Sequence, residues 1–169
     1  MSVLNRHLEM TVHVPAPPKA VFDRADDHAA FSSHMGKSSW MMAGGSMETE
    51  LDAAGGRKKG SHIRMRGRIL GSKLFLDEVV DQRQPPRRKA WHTVGEPRLW
   101  VIGHYRMGFE VHGVQGGSKL GVFIDFELPQ GFWGRILGGL FSGIYAKWCL
   151  KQMAEGVREH FLGHQREAR

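Results

Sequence analysis

The chain has 169 residues, of which 41% are hydrophobic and 24% are charged, a composition that is ordinary for one globular domain and excludes wholesale disorder. Its net charge of +7 predicts either a solvated basic surface or a basic patch that binds an acidic partner. The single cysteine, Cys149, excludes an internal disulfide and therefore a small secreted fold built on disulfides.

The N-terminal segment predicts one strand and two short helices. Residues 1–13 mix charged and apolar side chains without the apolar stretch of a signal peptide, so we expect a cytoplasmic protein. Residues 8–14 alternate apolar and polar side chains, which predicts a half-buried strand. Pro15–Pro18 ends that strand, and Pro18 suits the first turn of a helix. A second short helix is predicted over Asp27–His34.

Six further strands are predicted between residues 46 and 128, after a glycine-rich loop over 36–46 that contains Trp40. Alternating segments are separated by residues that turns require, such as Gly71-Ser72 and Pro85-Pro86. The predicted strands cover 46–53, 61–70, 73–83, 88–94, 99–112 and 119–128. Connections this short imply antiparallel pairing, and seven strands form a sheet large enough to curl.

The last segment predicts a long amphipathic helix over about 132–163. Apolar residues recur there at steps of three and four, which is the period of one helix face. Glycines weaken the first half of this helix, each by up to about 1 kcal/mol relative to alanine. We therefore expect a break or a loose turn between Gly134 and Gly143, and we expect any cavity beneath the helix to open, or a partner to bind, at that place.

The order of these elements is that of the α+β helix-grip fold, and three segments carry a family resemblance. VPAPPKAVF (Val14–Phe22) resembles the strand-to-helix junction of the START-like superfamily. LDEVV (Leu76–Val80) followed by PPRRKAW (Pro85–Trp91) resembles the strand, turn and strand of many bacterial members. YAKWCL (Tyr145–Leu150), with Phe161, lies where such proteins have their gripping helix. Over nearly its whole length the chain resembles the START-like polyketide cyclase, dehydrase and lipid transport proteins, which include Bet v 1-like carriers.

This resemblance implies one helix-grip domain over residues 1–169, with a seven-stranded curved antiparallel sheet, two short helices and a long C-terminal helix. It also implies a cavity between sheet and helix, mostly apolar and with few polar groups. We expect that cavity to bind a lipid, a polyketide or an aromatic metabolite. The residues expected to line it are Trp40, Met65, Trp91, Tyr105, Phe109, Ile124 and Tyr145. The Tyr105 hydroxyl, if buried, either orients a ligand or bonds to backbone or water.

No motif assigns a catalytic residue or a metal site. Asp77, Glu78 and Asp125 are the carboxylates expected within the sheet, and salt bridges to arginines on its outer face explain them more simply than acid–base chemistry does. Cys149 is expected to be a small buried hydrophobe. Ten histidines are scattered along the chain without an HExxH motif or paired cysteines, so neither a metal nor a cofactor is predicted.

Three functions remain open. The leading hypothesis is binding or transport of a small hydrophobic molecule in the cavity. The alternative is an enzyme of the cyclase or dehydratase type, with a cavity carboxylate or histidine, and a polar cluster that points inward would favour it. The third is a peripheral module that binds an anionic membrane surface or nucleic acid through its basic face. Nucleic acid is disfavoured because no recognised RNA-binding motif accompanies the cations, and a homodimer stays open.

Overall fold

The computed structural model describes residues 4–37 and 45–167. The strands in this part of the chain are β1 Arg6–Val14, β2 Ser46–Leu51, β3 His62–Ile69, β4 Ser72–Gln84, β5 Arg88–Arg98, β6 Tyr105–Val114 and β7 Gly117–Phe126. The helices are α1 Pro18–Asp26, α2 His28–Phe31 and α3 Phe132–Glu167, with a 3₁₀ turn over Ser33–Gly36. The predicted element order, and with it the α+β helix-grip architecture, is confirmed.

The seven strands form one antiparallel sheet in the order β1-β7-β6-β5-β4-β3-β2. From β2 to β7 each strand pairs with the next in sequence, and β1 pairs with β7 at one edge of the sheet. The β3–β4 turn holds Leu70 and Gly71, both with positive φ of 47° and 82°, which is the geometry of a type I′ hairpin. The register between β4 and β5 shifts between Phe75 and Asp77 and again after Val80, and such bulges bend and twist a sheet. The result is a curved sheet with one concave face.

The second half of α3 packs onto that concave face and closes the core. Its buried side chains are Ala146, Cys149, Leu150, Met153, Ala154 and Val157. From the other end of the sheet, α1 contributes the fully buried Phe22, whose ring centroid lies 5.4 Å from that of Phe109. Each large apolar side chain removed from water in this way contributes roughly 1.5–3 kcal/mol.

The first half of α3 is helical without interruption, so the predicted break is wrong. Gly138 explains part of this: a Cβ there would lie 2.7 Å from Pro129 Cδ and 3.0 Å from the Val101 carbonyl oxygen. The missing side chain therefore lets the helix approach the β5–β6 connection closely, and that contact supports the turn. None of the helices in the described residues is long and apolar enough to span a membrane.

The predicted strand 99–112 is wrong at its N-terminal end, because β6 begins only at Tyr105. Residues 99–104 connect β5 to β6. The backbone of this connection forms hydrogen bonds with Glu127, which follows the end of β7. Gly103 N–H donates to the Glu127 carbonyl at 2.9 Å, and Glu127 N–H donates to the His104 carbonyl at 3.0 Å. Strict alternation back from Tyr105 would put Ile102 on the outer face of the sheet. Because residues 99–104 are not part of a strand, this alternation does not apply, and Ile102 is only 3% exposed.

One ion cluster ties α1 to the β4–β5 hairpin. Lys89 is fully buried, and its Nζ lies 2.9 Å from Asp26 Oδ1. Arg83 Nη2 lies 2.7 Å from Asp26 Oδ2, and its Nε adds a second bond at 3.2 Å. Burial acts to raise the pKa of Asp26, but the bonds from Arg83 and the Lys89 charge outweigh it and lower that pKa. Lys89 is thus a core residue, although the sequence places it in a solvated basic stretch.

We expect Asp26→Asn to cost about 3–5 kcal/mol of unfolding free energy, because it leaves a buried ammonium beside a neutral amide. The wild-type contribution is complete above the ordinary Asp pKa of 3.8 and is lost as pH falls through the lowered folded value. Urea unfolding at neutral pH measures the loss. The matched control is Asp23→Asn on the same helix, where the carboxylate is 56% exposed and the expected cost is below about 0.5 kcal/mol. Equal losses in the two variants would contradict this assignment.

Candidate functional site

A cavity of about 50 Å³ lies between α3 and the concave face of the sheet. Its other walls are α2, the 3₁₀ turn and the β5–β6 connection, which contributes Leu99 and Ile102. Most of the lining is apolar, and four methionines are included, namely Met35, Met65, Met107 and Met153. Its volume is small beside the roughly 300–1,000 Å³ of typical ligand pockets. A ligand larger than a few atoms therefore requires the walls to move.

The structure brings together five of the seven residues expected to line this cavity. Those five are Met65, Trp91, Tyr105, Ile124 and Tyr145. Phe109 lies elsewhere in the core, where its ring contacts Phe22 and Phe31 with centroids 5.4 Å apart in each case. Trp40 lies outside the described residues. That these side chains bind a ligand stays a prediction.

Glu78 is the main polar group of the cavity, so the prediction that it forms a salt bridge on the outer face of the sheet is wrong. It is 1% exposed and points inward from β4, with Leu76 and Val80 on the same side. Its Oε1 accepts a hydrogen bond from the Tyr105 hydroxyl and another, at 3.1 Å, from Trp91 Nε1. Burial raises the pKa of Glu78 to about 7, against the lowering effect of those two bonds. Near neutral pH this carboxyl group is therefore protonated to a far greater extent than an exposed glutamate.

His28 faces Glu78 from α2 and is equally buried, at 1% exposure. Its Nε2 lies 3.7 Å from Glu78 Oε2, and its ring packs edge-on against Trp91 with centroids 5.1 Å apart. Burial lowers the pKa of His28 to about 3, and the Lys89 charge acts in the same direction. The imidazole is therefore neutral at physiological pH. A neutral histidine and a partly protonated carboxyl group therefore lie next to one another in the cavity wall.

Three polar atoms of this pair have no hydrogen-bond partner among the described residues: Glu78 Oε2 and both ring nitrogens of His28. Buried polar atoms are nearly always hydrogen-bonded, so an unpaired group needs a reason. At 3.7 Å the two side chains are too far apart to bond directly. The arrangement leaves both a donor and acceptors available to a polar atom placed between them.

The α3 side of the cavity carries weakly polar groups. The Tyr145 hydroxyl donates to Met35 Sδ at 3.7 Å. Burial raises the pKa of the Cys149 thiol to about 12, so this cysteine is an unreactive small side chain, as expected. His34 packs edge-on against Trp148 with centroids 5.3 Å apart, and burial lowers its pKa to about 4.

The other two carboxylates within the sheet lie on its outer face, as predicted. Asp77 accepts from Arg64 Nε at 3.3 Å, and Asp125 lies 2.6 Å from His7 Nδ1. The alternation in β4 could have shown that Glu78 and Asp77 point to opposite faces of the sheet, because Glu78 lies on the same side as three buried aliphatic residues. His28 had no such signal, since it stands alone at the start of a four-residue helix.

Comparisons with known proteins agree with this architecture. The family described as polyketide cyclase / dehydrase and lipid transport matches residues 5–158. None of the curated proteins matches the chain.

Solved structures show the same fold at low sequence identity. A protein of Thermus thermophilus superposes with a TM-score of 0.67 at 15% identity, covering 94% of this chain and 99% of that one. The ZhuI aromatase/cyclase of a Streptomyces species has a TM-score of 0.60 at 17% identity, covering 97% and 96%. The major latex-like protein 151 of Panax ginseng has a TM-score of 0.62 at 11% identity, covering 93% and 97%. At such identities the likeness is one of fold alone.

We expect Glu78→Gln to change how stability depends on pH. Because the folded pKa of Glu78, about 7, lies above its ordinary 4.5, its contribution is complete below 4.5 and is lost as pH rises through 7. The loss is on the order of 3 kcal/mol. His28 and His34 have lowered pKa values, so their contributions to stability rise with pH and partly mask that of Glu78. The quantity to measure is therefore the unfolding free energy of the wild type minus that of the variant, from urea unfolding between pH 5 and pH 8. That difference falls with pH for Glu78→Gln. A flat difference between pH 5 and pH 8 would refute the assignment.

Proposed function

The chain belongs to the polyketide cyclase/dehydrase and lipid transport family, and on that premise we propose that it binds a small, uncharged, mainly apolar molecule carrying a hydroxyl or carbonyl oxygen. The observation that carries this proposal is the inward-pointing pair of Glu78 and His28 in an otherwise apolar cavity. The cavity walls select the body of the ligand, and the pair selects its oxygen.

The apolar walls favour a hydrophobic body. Burial of apolar surface supplies roughly 25 cal/mol per Å², and aromatic side chains such as Trp91 and Tyr145 add flat surfaces on which a ring can pack. The four methionines give these walls room to adapt, because an unbranched thioether side chain changes rotamer readily. The small cavity can therefore widen around a bound molecule without a change in the fold.

The unpaired polar atoms favour one oxygen. A hydroxyl or carbonyl placed between Glu78 Oε2 and His28 Nε2 would satisfy atoms that are otherwise buried without partners. A negative charge on the ligand is disfavoured, because the neutral imidazole offers no counter-ion and burial of an unpaired charge is costly. The same reasoning disfavours a fully apolar ligand, which leaves those atoms unpaired.

A matched series of naphthalene, β-naphthol and β-naphthoate tests this selectivity. We expect β-naphthol to bind about tenfold or more tightly than naphthalene, since it gains one buried hydrogen bond, and we expect β-naphthoate to bind most weakly. Isothermal titration calorimetry near pH 6 measures all three. Binding of β-naphthoate as tight as that of β-naphthol would overturn the proposal.

Two alanines of α3 locate the binding site in the same assay. Ala146 lines the cavity, so Ala146→Val partly fills it and should weaken β-naphthol binding by at least about tenfold. Ala154 is equally buried on the same helix but is not among the lining residues, so Ala154→Val controls for the strain of overpacking. If both variants bind like the wild type, the ligand lies elsewhere.

Acid–base catalysis is the second candidate, and the pKa of Glu78 near 7 favours it. A catalytic carboxyl group works best when its pKa lies near the working pH. Tyr105 and Trp91 hold Oε1, which leaves Oε2 facing the cavity to take a proton from a carbon beside a carbonyl group. His28, with its low pKa, is a weak base and would serve as a hydrogen-bonding partner instead.

Deuterium incorporation into β-tetralone in D₂O, followed by proton NMR, tests the catalytic candidate. If Glu78 is the base, the exchange rate rises as pH passes about 7, and Glu78→Gln lowers it by about 100-fold or more. Asp77→Asn on the outer face should retain the wild-type rate. Exchange no faster than in buffer would dismiss this candidate and leave the binding function alone.

A further inference from the structure

The first half of α3 exposes a continuous apolar face. Of the eleven large apolar side chains exposed in the described part of the chain, seven lie between Phe132 and Ile144. Phe132 and Trp133 are 72% and 73% exposed, and Leu140 is 65% exposed. At 100° per residue, these seven positions fall on one side of the helix. Such a cluster is unusual on a surface that meets only water.

Positive charge borders this apolar face. Lys147 and Lys151 follow seven and eleven residues after Leu140, which places them on the same side of the helix. Both lysine side chains are exposed, and Arg135 is exposed on the opposite side of the helix. The sequence from Leu128 to Ala154 contains no Asp or Glu.

The flanking acidic residues on either side of this stretch are already engaged. Glu127 lies 2.8 Å from His104, and Glu155 lies 2.8 Å from Arg158. The stretch therefore presents aromatic and aliphatic groups with cations alone.

We propose that the exposed face of α3 from Phe132 to Ile144 docks on the surface of an anionic lipid bilayer. Aromatic and aliphatic side chains with flanking cations suit the boundary between head groups and acyl chains, and anionic lipids attract lysine and arginine near the membrane. From Phe132 to Ile144 the helix is about 18 Å long at 1.5 Å per residue, so it can lie flat on the surface. This interaction goes beyond ligand binding and does not depend on it.

Charge favours a bilayer over a second copy of the chain. In a two-fold dimer the same patch meets itself, which would bring the Lys147 and Lys151 side chains of two copies to one interface with no acidic partner from this stretch. An anionic surface instead supplies the opposite charge across the whole face.

Flotation with vesicles of three parts phosphatidylcholine to one part phosphatidylserine tests the proposal. We expect wild-type protein to bind these vesicles, to bind pure phosphatidylcholine weakly, and to lose affinity as salt rises from about 0.1 M to about 0.5 M. The paired substitution Trp133→Ser with Phe141→Ser should weaken binding by at least about tenfold. Lys147→Gln and Lys151→Gln should each weaken it about fivefold. Leu70→Asn, on the exposed β3–β4 turn, is the matched control and should bind like the wild type.

A site-specific fluorophore shows which surface touches lipid. The native Cys149 thiol is buried and has a pKa near 12, so a thiol-reactive environment-sensitive dye will label a Phe141→Cys variant at the new position. We expect its emission to shift to the blue on anionic vesicles, while dye on Leu70→Cys does not respond. Absence of flotation, or an equal response from both dyes, overturns the proposal. Self-association that Phe141→Ser abolishes, without vesicle binding, would instead identify a second copy as the occupant.

Discussion

The structure depends on the contact between the second half of α3 and the concave face of the sheet. Ala146 and Ala154 are fully buried there, and their small side chains let the helix lie close to the strands. Four residues of this half of the helix, from Tyr145 to Met153, line the cavity. N-terminal to them, from Phe132 to Ile144, the helix carries its apolar side chains into solvent.

The core accommodates buried polar groups in two different ways. Asp26 keeps its charge, because Arg83 and Lys89 supply opposite charges at hydrogen-bonding distance. Glu78 accepts hydrogen bonds from two uncharged donors and lies beside a neutral imidazole, so burial shifts it toward its protonated form instead. The first arrangement fixes α1 on the sheet. The second leaves atoms of Glu78 and His28 without partners, and this combination of an apolar wall and unsatisfied polar groups is what a selective ligand site requires.

Much of the fold could be predicted from the sequence because pleat and helical pitch are fixed. Alternation from Tyr105 to Val111 and from Leu120 to Phe126 identifies the inward face of two strands, and each of those apolar inward residues is buried. Glycine and proline mark the turns, and steps of three and four mark α3. The same local rules place five expected residues around the cavity, since each lies at an inward position of its own element. They fail at residues 99–104, where the chain leaves the sheet and the period of two no longer corresponds to two faces.

The sequence by itself determined which elements form, how the strands pair and which side of most strands is apolar, because those properties follow from neighbouring residues. Only the tertiary structure decided the chemistry of the site. The alternation in β4 could have shown that Glu78 points inward. Its protonation, however, depends on hydrogen bonds from Trp91 and Tyr105, which lie on two other strands. His28 reaches it from a helix fifty residues away in sequence, and Lys89 is separated from Asp26 by 63 residues. Periodicity likewise showed that the first half of α3 is apolar. The sequence could not show that these side chains stay exposed to solvent, because burial depends on how the helix and the sheet pack together.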